Sequence, residues 1–122
     1  MSDVETAPGL PEFRRVLEAS YREIRCIVDA VAPTVELPEA HGDGVDFDSV
    51  VKATQLALIQ LQFCGVSRDV VMALRDATSD WLAAAHCARR YDQTLDAMHR
   101  RLASTAVRQL AESLRIVRTL TG

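Results

Sequence analysis

The chain has 122 residues, 48% hydrophobic and 25% charged, with 5 Gly, 4 Pro and a net charge of −3. This is the composition of one ordinary folded domain, which argues against a disordered tail or a fibrous repeat. The longest aliphatic run, Leu56-Ala57-Leu58-Ile59, is far short of the ~20 residues that a membrane span requires, and the mild acidity argues against a general nucleic-acid binder.

Residues 1–10 read as a disordered, acidic lead-in without the basic and apolar pattern of a signal peptide. A first helix is expected over 11–32. Pro11 suits its opening turn, where a missing N–H costs nothing, and Pro33 stops it. Phe13, Val16, Leu17, Tyr21, Ile24, Ile27, Val28 and Val31 recur at spacings of three and four and so share one stripe.

The connection over 33–45 is long for a helix–helix link. Asp46 is a suitable cap for a second helix over 47–64, and Val45 and Val50 are placed as a hydrophobic staple. This helix is apolar nearly all round: Phe47, Val50, Val51, Leu56, Leu58, Ile59, Leu61 and Phe63 leave only one clear polar row, Asp48, Lys52, Gln55 and Gln62. Such a helix needs cover on several sides. Gly65 ends it.

Ser67 then caps a third helix with an unusually regular pattern. Val70, Leu74, Ala77, Trp81, Ala84, Ala88, Tyr91, Leu95, Met98 and Leu102 follow alternating steps of four and three, a coiled-coil heptad. The pattern predicts one continuous helix over 67–102, about 54 Å long. A compact chain of this size is only about 35 Å across, so the helix is expected to outrun a monomer. The small residues Ala77, Ala84 and Ala88 would let a partner helix approach closely. After Leu102 the phase slips, and Ser104 is the expected cap of a fourth helix over 104–120. The expectation is therefore an all-α bundle of three to four helices in residues 11–122, completed by homodimerisation.

Charge is unevenly distributed. Residues 1–50 hold 11 acids against 4 arginines, and residues 86–122 hold 7 arginines against 3 acids. The two parts are expected to face each other. Lys52 is the lone lysine beside thirteen arginines, a bias typical of a GC-rich bacterial genome. Cys26, Cys64 and Cys87 form no metal or redox spacing and suit a reducing cytoplasm.

Chemistry-bearing patterns are sparse. His41, His86 and His99 make no helical ligand pair, so no metal site is expected. His86 and Cys87 are adjacent and diverge on a helix, which argues against a nucleophile–base pair. Asp43, Asp46 and Asp48 have spacing 1, 4, 6 where a calcium loop needs 1, 3, 5. No catalytic residue and no cofactor is expected. Arg101, Arg108 and Arg115 repeat every seven residues and would suit an acidic protein partner or an anionic ligand. The residues proposed for an interface or pocket are Gln55, Gln62, Trp81, Ala84, Ala88, Tyr91, Arg101, Arg108 and Arg115. The pattern favours a non-enzymatic interaction protein, such as an adaptor, chaperone or complex subunit. The alternative is a ligand-binding regulator or small helical enzyme with a pocket between helices.

Overall fold

A computed structural model describes residues 9–35, 37 and 47–122, with side chains described from residue 52 onward in the last of these stretches. The fold is all-α. Its four packed helices are α1 (Leu10–Val31), α2 (Phe47–Leu61), α3 (Arg68–Thr94) and α4 (Ala97–Thr121), and no strand occurs among the described residues. The expected Asp46 cap, the Val45–Val50 staple, most of the acidic lead-in and the Asp43–Asp46 group beside His41 lie outside the described residues.

Helix α1 starts as its sequence dictates. The Glu12 carboxylate accepts the Gly9 N–H at 2.7 Å, the reciprocal half of a helix-start motif. Its buried apolar residues, Phe13, Tyr21, Ile24 and Val28, belong to the expected stripe, and Ser20 is buried beside them. Beyond the helix, Val35 and Leu37 are also buried and close the core beneath it. The Ser67 hydroxyl accepts the Val70 N–H at the start of α3, as its position predicts. Gly65 takes a left-handed φ of 73°, a turn conformation that suits glycine.

The long third helix is where structure and expectation part. It runs unbroken through Thr78-Ser79-Asp80 but ends at Thr94 rather than Leu102, and the next helix starts at Ala97 rather than 104. Leu95 turns the chain with φ 53°, ψ 26°, and its N–H still closes on the Tyr91 carbonyl at 2.7 Å. Asp96 then caps α4 by accepting the Met98 N–H at 2.9 Å. Thr94 reinforces the break, its hydroxyl donating to the Arg90 carbonyl and accepting from the Asp96 N–H. Two short polar side chains that compete for backbone groups outweigh an apolar period that continues in phase. Ala103 and Ser104, the expected break, lie within α4, with Ala103 fully buried.

The break changes what covers the heptad seam. Helix α3 is 27 residues, about 40 Å, and α4 folds back along it, with the Ser113 hydroxyl donating to the Asp80 carboxylate across the pair. Leu74, Ala77, Trp81, Ala84 and Ala88 are buried within this one chain. The alanines admit α1 and α4 rather than a second subunit, and Ala88 packs with Phe13 of α1 and Ala103 of α4. The helix is shorter than the expected ~54 Å, and its seam from Leu74 to Ala88 is covered within the chain. Leu95, Met98 and Leu102 leave the seam and are exposed.

Helix α1 docks on this hairpin through aromatics. Tyr21 stacks obliquely on Trp81 at 4.8 Å between ring centroids, and the Trp81 indole N–H donates to the Leu17 carbonyl at 2.9 Å. Such a bond lets a tryptophan sit deep in a core with its one donor satisfied. Helix α2 packs on α3 and joins the same core through Ala57 and Leu61.

Candidate functional site

The residues singled out from sequence do not converge on one place. Gln55 of α2 and Gln62 of the turn after it face solvent. Trp81, Ala84 and Ala88 are core, and half-buried Tyr91 sets its ring edge-on to Phe13 at 6.1 Å. The glutamines and Trp81 thus occupy opposite sides of the packing and do not frame a pocket together. Arg101, Arg108 and Arg115 are exposed along α4. His86 is exposed, while the Nδ1 atom of half-buried His99 lies 2.7 Å from the Thr94 hydroxyl, so His99 helps to close the turn. Cys87 packs beside the Phe13 cluster. Among the described residues, no group of three or more His, Cys, Asp or Glu is placed to hold a metal ion.

Charge is arranged more locally than the two-part distribution implied. Helix α1 carries four acids and four arginines, so the acidic excess of the first 50 residues lies in the segments flanking it. Direct contact between α1 and α4 comes through Glu23 and Arg118, which pair bidentately. The Arg118 hydrogen bonds hold the Glu23 carboxyl below its ordinary range despite the opposing effect of partial burial, and Glu23 in turn raises Arg118. Arg115 pairs with Glu112 on its own helix. Arg14 and Asp92 link α1 to α3 at 4.0 Å. Among the described residues, Arg101 and Arg108 have no carboxylate partner.

The feature that sequence spacing did not isolate is the outer side of α2. Among its described side chains, Thr54, Ala57 and Leu61 are buried. Thr54 bonds the Tyr21 hydroxyl, whose pKa is nevertheless raised because burial outweighs that bond. Turned away from them are Leu56 at 56% exposure, Ile59 at 55% and, in the turn that closes the helix, Phe63 at 82%. Leu56 and Ile59, three apart, share one side of the helix, and Phe63 adds a third exposed apolar side chain from the turn just beyond its end. The neighbours of these three are Lys52, Gln55, Gln60 and Gln62, all exposed, with no carboxylate among them. A soluble monomer seldom sets three large apolar side chains side by side in water without an occupant for them. The signal was present in the sequence as a helix apolar all round, but spacing alone could not say which side the core would take.

The chain matches no known family model. No curated protein and no solved structure is significantly similar to it. Among the described residues, no helix is long and apolar enough to cross a membrane.

Proposed function

We propose that this chain is a non-enzymatic interaction or assembly protein that works as a helical-bundle homodimer, with the outer face of α2 as the joint. The observation that carries the reading is the exposed set of Leu56 and Ile59 on a helix whose opposite side is already packed, with Phe63 beside them in the turn that follows. The stripe has the character of a core cut open, as obligate homodimer interfaces do. Two copies meeting about a two-fold axis would set each stripe against its mate, the usual closed arrangement of a homodimer. The flanking glutamines suit that contact, since an amide both donates and accepts and can pair with its own symmetry mate. Among the described residues, Lys52 is the charged neighbour of the stripe, and at its end it can remain in water.

The alanine seam of α3 has no part in the joint, because α1 and α4 already fill it. The three cysteines are free, which supports a reducing cytoplasmic setting. Concentration-dependent thermal unfolding tests the reading. A dimer whose monomer is less stable melts at higher temperature as protein concentration rises. A midpoint that stays fixed from one to one hundred micromolar would set the dimer aside.

A further inference from the structure

The outward side of α4 carries a second pattern, independent of α2. Met98, Leu102, Ile116 and Leu120 are all exposed. On a helix of 3.6 residues per turn they fall on one line, with exposed Thr105, Gln109 and Glu112 filling the turns between Leu102 and Ile116. The line is about 33 Å long. Beside it run Arg101, Arg108 and Arg115, one every seven residues. At the end of the line nearest the turn, Leu95 adds a further apolar side chain, 71% exposed and held in a left-handed conformation. A face that is apolar at both ends, polar in its middle turns and edged by charges at heptad spacing can form one half of a two-helix contact, where a partner helix sets polar side chains against the middle and edge charges choose the partner.

We propose that this face of α4 receives an amphipathic helix of a different protein, acidic along the edge that meets Arg101 and Arg108. Charge decides the occupant. Arg115 is already engaged with Glu112, but Arg101 and Arg108 have no carboxylate on this chain among the described residues. Two copies of this face meeting about a two-fold axis would bring Arg108 against its own symmetry mate, a like-charge contact. A carboxylate-edged helix removes that repulsion and gives each arginine a charge-assisted bond. An anionic bilayer suits the face less well. Its middle is Thr105, Gln109 and Glu112, whereas a surface-seeking helix needs an unbroken apolar side.

The test uses the full-length protein and two fluorescein-labelled peptides of four heptads. Both have the same leucine seam; one has Glu and the other Lys at every flanking position. Fluorescence anisotropy is expected to show binding of the Glu peptide and at least ten-fold weaker binding of the Lys peptide. The double variant Arg101→Glu/Arg108→Glu, checked for an unchanged circular-dichroism melt, is expected to reverse that preference. The variant Ile59→Ser/Phe63→Ser acts only on α2 and is expected to bind the Glu peptide as the wild type does, whether or not the α2 joint exists. Equal binding of both peptides, binding of neither, or a preference that the arginine reversal leaves unchanged would overturn the proposal. So would loss of peptide binding in the α2 variant, or retention of the protein on phosphatidylserine vesicles in place of the peptide.

Discussion

Leu95 holds a backbone conformation that costs an L residue with a Cβ roughly 1–2 kcal/mol, at a position where helices commonly place Gly or Asn. It does so with its side chain largely in water, so burial does not offset the cost. Replacing Leu95 with Asn, which tolerates this conformation, is expected to raise stability by roughly 0.5–1 kcal/mol in urea unfolding. A loss of stability would mean that the side chain packs in solution. The Glu23–Arg118 pair gives a pH dependence with a fixed sign. The Glu23 carboxyl is held below its ordinary value of 4.5, so its contribution is present above that pH and disappears as pH falls through the lower folded value. Both side chains are partly exposed and screened, so the effect is about 0.5 kcal/mol. Glu23→Gln should therefore narrow its stability deficit against the wild type as the pH drops from 6 to 3. A deficit that widens would reverse the sign argued here.

At the scale of elements, the α3–α4 hairpin depends on small residues where helices cross. Ala84 has no exposed surface, and enlarging it leaves no room for α1 and α4 at their present separation. Ala84→Leu is expected to cost about 1–3 kcal/mol by overpacking, measured as a lowered urea midpoint. The reverse change, Leu110→Ala in the fully buried face of α4, is expected to cost about 2–5 kcal/mol through loss of contacts and a residual cavity. Helix α1, the caps at Ser67 and Gly65, and the inner residues from Leu74 to Ala88 were all legible in the sequence, because each rests on a local signal that nothing contradicts. The end of α3 was not. Leu95, Met98 and Leu102 keep the heptad in phase, while Thr94 and Asp96 carry the stop in their side-chain hydrogen bonds. Apolar period registers faces; it does not register a cap that reverses the chain.

For the whole molecule, that reversal moves the argument for association from one helix to another. The seam of α3 is satisfied inside the chain from Leu74 to Ala88, and most of the large apolar side chains left exposed among the described residues lie on or beside α2 and α4. Sequence period marked α2 as apolar on all sides, but only packing could show that α3 and the core take the Thr54, Ala57 and Leu61 side and leave Leu56, Ile59 and Phe63 outside. The two faces call for different occupants. The α2 stripe is edged by amides and suits a second copy, whereas α4 is edged by arginines and suits an acidic helix. Sedimentation equilibrium of the wild type beside Ile59→Ser/Phe63→Ser tests the homodimer. A wild-type species at twice the 13.5 kDa chain mass is expected, and a folded variant at the single-chain mass. A wild type that sediments as a monomer at tens of micromolar, or a variant that remains dimeric, would contradict it.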